Sequence, residues 1–107
     1  MDFKGKTVFI TGAAVGIGRA VAIKFAMGGA NLVLADIDEA SLASVKAEAE
    51  VYTQNVLTFN CDVSNEERVY DVVKNAESVF GKIDILINKE TTMSRVNIFL
   101  TLSIIGL

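Results

Sequence analysis

The chain has 107 residues, of which 51% are apolar and 21% charged, with a formal net charge of −3 and a sequence pI of about 4.8. This is enough chain for one domain with a buried core. The balance excludes a disordered polymer and a basic surface for nucleic acid. There is no histidine and a single cysteine, Cys61, which excludes a Ser-His-Asp site, an imidazole zinc site and a disulfide framework.

The N-terminus, MDFKGKTVFITG, has no apolar stretch long enough for a secretory leader, so a cytoplasmic location is expected. Val8, Phe9 and Ile10 then form the first buried-strand candidate, closed by Gly12. Ile17, Ala20, Val21 and Phe25 predict one face of a helix that Gly28 and Gly29 stop. Leu32, Val33, Leu34 and Ala35 give the second strand. Leu42, Val45, Ala49 and Tyr52 predict the face of the second helix. Val56, Leu57, Thr58 and Phe59 give the third strand. The clearest helical stripe follows: Val69, Val72, Val73, Ala76, Val79 and Phe80. Ser64 and Glu67 predict a capping box at its start, and Gly81 its end. Residues 83–87, interrupted only by Asp84, give the fourth strand.

Strands this apolar are covered on both faces, as in parallel sheets. Their alternation with helices predicts an α/β fold with right-handed crossovers, strand order 3-2-1-4 and helices on both faces. In such sheets ligands sit beyond the carboxyl ends of the strands, where the order reverses. That point lies between the first and fourth strands, on the rim that carries ITGAAVGIGRA, residues 10–20.

The glycines of this segment have a reading in terms of a pyrophosphate at a helix N-terminus. Gly12 allows the tight turn, Gly16 the close approach of backbone to phosphate, and Gly18 the close seating of the helix. An ordinary tight turn is the plain alternative, but the loop follows a strand and opens a helix, as the phosphate reading requires. Asp36 ends the second strand, 24 residues after Gly12. A carboxylate there can accept from both hydroxyls of an adenosine ribose and repels a 2′-phosphate; a polar strand end, or a helix cap shared with Asp38, is the plain alternative. Neither Val15 nor Ile37 brings a positive charge to offset it, so NAD is favoured over NADP. A P-loop is excluded because no Gly-Lys-Ser/Thr follows the glycines. A methyltransferase loop usually has an acid before its glycines, where this chain has Thr11.

Thr11-Gly12-x-x-x-Gly16-Ile17-Gly18 resembles the cofactor loop of the short-chain dehydrogenase/reductase family. Cys61-Asp62-Val63 resembles its adenine-holding segment. Gly81 to Asn88, GKIDILIN, resembles the approach to its Asn-Asn-Ala-Gly motif. The resemblance runs from about residue 3 to Asn88. It implies a Rossmann-like sheet truncated after strand four, with Gly12, Gly16, Ile17, Gly18, Asp36, Asp62, Val63 and Asn88 as contacts or supports for NAD(H). It divides the chain into an NAD-binding half-domain, residues 1–90, and a divergent apolar tail, residues 91–107, that is not a separate domain.

The pattern then departs. Lys89-Glu90-Thr91 stands where the family has Asn-Ala-Gly, and TMSRVNIFLTLSIIGL completes the chain. The family's catalytic Ser and Tyr-x-x-x-Lys would lie beyond, so no catalytic residue is assigned. Tyr70 and Lys74 repeat the Tyr-x-x-x-Lys spacing on the third helix, where a solvated surface pair is expected. Residues 96–107 carry no charge but fall short of the about 20 that a membrane span needs. Three functions stay open: the NAD-binding part of an alcohol/carbonyl oxidoreductase, catalytically incomplete as given; a working oxidoreductase completed by further residues or a partner chain; and a non-catalytic fragment. The last would self-associate, or pair with a full-length relative, through the exposed edge of strand four.

Overall fold

A computed structural model describes residues 2–88 of the chain. Within them the elements run β1 (Thr7–Thr11), α1 (Gly16–Met27), β2 (Asn31–Asp36), α2 (Glu39–Ala49), β3 (Val56–Asn60), α3 (Glu66–Phe80) and β4 (Ile85–Ile87). The four strands form one parallel sheet in the order β3-β2-β1-β4, as the alternation of elements predicts. In the register, Phe9 of β1 lies between Val33 of β2 and Leu86 of β4.

The reversal of order explains the layers. β1, β2 and β3 step outward in one direction, so right-handed crossovers place α1 and α2 on one face. The step from β3 to β4 runs back past β1, and the same handedness places α3 on the other. Alternate strand residues sort accordingly. Val8, Ile10, Leu32 and Leu34 meet Ala22 and Ala26 of α1 and Leu42, Val45 and Ala49 of α2. Phe9, Val33 and Ala35 meet Val69, Val72, Val73 and Ala76 of α3.

Three expectations about the helices are corrected. Ile17 and Ala20 are exposed, and α1 buries Ala22 and Ala26 instead. The reason is steric: α1 lies so close to the loop before it that a Cβ at Gly18 would overlap the Gly12 carbonyl oxygen. A helix seated that closely offers its small residues to the sheet, and its larger ones, Val21 and Phe25, lie at the margin of the core. Tyr52 lies beyond the end of α2 and is half exposed, as is Val79 on α3.

The third correction concerns the cap of α3. Asn65, not Ser64, is the N-cap, with its Oδ1 accepting from Arg68 N at 3.1 Å. Ser64 is captured by its neighbour: its amide and hydroxyl donate to Asp62 Oδ1 at 2.9 and 2.7 Å. Asparagine caps as well as serine does, so the local Asx-type turn at Asp62 decides which is used.

β4 is shorter than residues 83–87. Asp84 joins β1 with its side chain as well as its backbone: Oδ2 accepts from Thr7 N at 2.9 Å, while Asp84 N donates to the Thr7 carbonyl at 2.9 Å. A carboxylate thus takes the place of a ladder carbonyl, and regular pairing begins one residue later. The expected tail, residues 91–107, lies outside the described residues.

Candidate functional site

The three helix N-termini differ in kind. α2 is capped by Asp38, which accepts from Ser41 N at 3.0 Å and Ser41 Oγ at 2.7 Å, and it carries Glu39 in its first turn. Those bonds from Ser41 hold the Asp38 carboxyl below its usual range. α3 is capped by Asn65 and begins with Glu66 and Glu67. α1 has Val15 at its N-cap, no side-chain cap and no acid in its first turn. Among the described residues no side chain takes its leading N–H groups and partial positive charge.

The loop leading to α1 matches that use. Gly12 and Gly16 have φ of 64° and 60°, in the left-handed region where a side chain is strained. A Cβ built at Gly16 would meet nothing within 4 Å. Among the described residues the backbone at the helix entrance is therefore bare on its outer side. Gly18 differs: its missing Cβ is what allows the helix and the Gly12 carbonyl to meet. Ile17 is 84% exposed, so its side chain lies in solvent above the first turn.

Asp36 is tied to this loop. Its Oδ2 accepts from Ala14 N at 3.0 Å, and its Oδ1 from Asp38 N at 3.0 Å. A carboxylate has about four lone-pair positions, so each oxygen keeps one for a further donor. The Asp36 carbonyl accepts from Cys61 N at 3.0 Å, which brings the end of β3 alongside. There Asp62 is exposed and takes both Ser64 bonds on Oδ1. Those bonds hold its carboxyl below the usual range, so it is ionised at neutral pH. Val63 is partly buried against the α3 side of the core. Burial pushes the neighbouring Cys61 thiol up, which keeps it protonated and unreactive.

At the reversal point, Thr11 Oγ1 donates to Asn88 Oδ1 at 2.7 Å. Thr11 is buried at the end of β1, and Asn88 follows β4. The structure therefore gathers Gly12, Gly16, Gly18, Asp36, Asp62, Val63 and Asn88 along one rim of the sheet, the carboxyl ends of its strands.

Tyr70 and Lys74 stand apart from that rim's machinery. Both are exposed on α3, opposite its buried valines, with the Lys74 ammonium 5.4 Å from the Tyr70 ring centre and 4.0 Å from Glu77. Sequence reasoning passed over Arg19. Its Nη1 donates to the Ala14 carbonyl at 3.4 Å, and its Nη2 to Ser44 Oγ at 3.1 Å and Glu48 Oε2 at 2.8 Å. A signal was available: consecutive right-handed crossovers put α1 and α2 side by side, so opposite charges on their polar faces can meet.

No helix among the described residues is long and apolar enough to cross a membrane. The sequence pattern of the short chain dehydrogenase family matches residues 6–103, which extends past Asn88, where the motif resemblance stopped. The chain is 43% identical over 88 residues to the short-chain dehydrogenase/reductase family 16C member 6 of Bos taurus, covering 81% of this chain and 28% of that protein. Among solved structures, a short chain dehydrogenase/reductase from Burkholderia phymatum in complex with NAD is 41% identical, with a TM-score of 0.75 over 80% of this chain and 31% of the other. A 3-ketoacyl-(acyl-carrier-protein) reductase from Brucella melitensis complexed with NADH is also 41% identical, with a TM-score of 0.71 over 78% and 33%. The chain thus spans about a third of the length of such relatives. With the glycine loop, the second-strand acid and the 3-2-1-4 sheet in place, it belongs to the short-chain dehydrogenase/reductase family of oxidoreductases.

Proposed function

We propose that the chain binds NAD(H) along the carboxyl rim of its sheet and forms the dinucleotide-binding part of an oxidoreductase acting on an alcohol/carbonyl pair. The observation that carries this reading is the uncapped N-terminus of α1, bare at Gly16, with the Asp36 carboxylate bonded to Ala14 of the same loop. The pyrophosphate then takes the free N–H groups of α1, and the adenosine ribose takes the two remaining acceptor positions of Asp36. Asp36 also repels a 2′-phosphate, which favours NAD over NADP. Asp62 and Val63 flank the adenine, and Asn88 supports the rim toward the nicotinamide. When bound, the nicotinamide supplies hydride exchange with a substrate carbon.

No residue of the described rim supplies the acid and base for that exchange, so the grip is catalytically incomplete within these residues. Binding is accordingly dominated by the adenosine half and is weak. Calorimetric titration with NAD is expected to show saturable binding in the range of about 0.1 to 1 mM, close to the weaker end of ordinary cofactor and substrate affinities. A chain that takes up no heat at saturating NAD overturns the reading.

A second reading rests on β4, which closes the strand order and pairs only with β1 among the described residues. Its other edge, unpaired among the described residues, would take a strand from a full-length relative, which would make the chain a modulator of that relative's assembly. Co-elution of the two in size-exclusion chromatography is the expected result, and separate elution at micromolar concentrations removes this reading.

A further inference from the structure

Arg19 brings to the acid a positive charge that Val15 and Ile37 lack. Its guanidinium bonds the Ala14 carbonyl at 3.4 Å, while the N–H of the same residue bonds Asp36 Oδ2 at 3.0 Å. One residue separates cation from carboxylate, so the two lie within about 10 Å, the range over which charges interact at 0.1 M salt. A planar guanidinium is also the side chain best matched to a phosphate. By position, Arg19 is suited to offset Asp36 and admit a 2′-phosphorylated dinucleotide.

The other half of the fork is engaged elsewhere. Nη2 is held by Glu48 Oε2 at 2.8 Å and Ser44 Oγ at 3.1 Å, both on α2. Glu48 neutralises the guanidinium and fixes its direction. The pair is partly exposed, 31% on Arg19 and 48% on Glu48, so the restraint is modest and a doubly charged phosphate competes with it.

We propose that Glu48 is a positioning residue for cofactor choice, which keeps the Arg19 guanidinium on α2 and away from a 2′-phosphate beside Asp36. Asp36 discriminates by direct repulsion, and Glu48 by withholding the compensating charge. The inference rests on the reading of Asp36 as the ribose-binding acid.

The test compares NAD and NADP affinities by calorimetry at low ionic strength. Asp36→Asn serves as the starting point, because its amide oxygen still accepts from Ala14 N while the repelling charge is gone. Adding Glu48→Gln is expected to raise the NADP-to-NAD affinity ratio about fivefold, the scale of one partly exposed ion pair. The gain shrinks with added salt. Adding Arg19→Met returns the ratio to that of Asp36→Asn. Thermal melts within a few degrees of one another establish that all three variants are folded. Failure of Glu48→Gln to change the ratio, or a gain that persists without Arg19, overturns the proposal. If the unsubstituted chain binds neither dinucleotide, or Asp36→Asn leaves the ratio unmoved, the reading of Asp36 itself falls, and the proposal with it.

Discussion

Gly18→Ala is expected to lower the melting temperature by about 10 °C. Within a helix, alanine for glycine ordinarily gains about 1 kcal/mol of propensity. Here the new methyl group would overlap the Gly12 carbonyl oxygen and stand 2.9 Å from the Gly12 carbonyl carbon and 3.3 Å from the Ala13 Cα. All three are backbone atoms at the end of a fully buried strand, so none can turn aside as a side-chain tip would. Overpacking of this kind costs up to about 3 kcal/mol, which outweighs the propensity gain by about 2 kcal/mol. In a domain of this size that corresponds to roughly 10 °C.

Gly16→Ala is the informative contrast. Its methyl group would meet nothing within 4 Å, and the cost comes from φ of 60°, worth about 1–2 kcal/mol for an L residue. The two glycines of one motif are therefore required for different reasons, one conformational and one steric. Differential scanning fluorimetry of both variants measures the two costs. A Gly18→Ala protein that melts at or above the parent would show that the loop yields freely, and the close seating of α1 would lose its importance.

The order of elements and the sheet topology were legible because each rests on a strong local signal. The strands are apolar on both faces, α1 and α3 end at glycine, and handedness leaves few arrangements. The helix faces were less so. Hydropathy ranks Ile17 above Ala22, yet the close approach of α1 at Gly18 reverses that order: the methyl-sized side chain is buried and the larger one stays in solvent. A periodicity argument contains no term for how near two elements come. The cap of α3 was misplaced for a similar reason. Ser64 and Glu67 satisfy the capping-box spacing, but Asp62 draws Ser64 into its own turn and leaves Asn65 to cap the helix. Two local motifs competed, and the spacing of one does not register the other.

The site was legible to the extent that its parts lie in chain order at strand ends: the glycines after β1, Asp36 at the end of β2, Asp62 after β3 and Asn88 after β4. What could not be read was how these parts are joined. The bond from Thr11 to Asn88 spans residues 77 apart, and that from Ala14 to Asp36 residues 22 apart. Arg19 belongs to the same category, since its partners on α2 come within reach only once both crossovers are formed.

The bond from Ala14 makes Asp36 part of the scaffold as well as the proposed ribose acceptor, and its substitution must be read with both in mind. Asp36→Ala is expected to weaken NAD binding at least tenfold. Two hydrogen bonds from ribose hydroxyls to a charged acceptor are lost, each worth about 1.5–3 kcal/mol, so the loss exceeds the 1.4 kcal/mol that a factor of ten represents. The same change releases the N–H groups of Ala14 and Asp38. Loop disorder would by itself weaken binding without any contact to ribose. Asp36→Asn distinguishes the causes. Its oxygen retains the Ala14 bond, while its NH₂ gives up the bond from Asp38 N and presents donors where a ribose hydroxyl needs an acceptor. If Asp36 grips the ribose, the asparagine protein recovers part of the lost thermal stability but little affinity for NAD. Titration with AMP, which carries the same ribose but no pyrophosphate, should show a comparable fractional loss in both variants. An asparagine protein that regains full affinity for NAD and AMP would reduce Asp36 to a staple of the loop and leave the ribose without its acid.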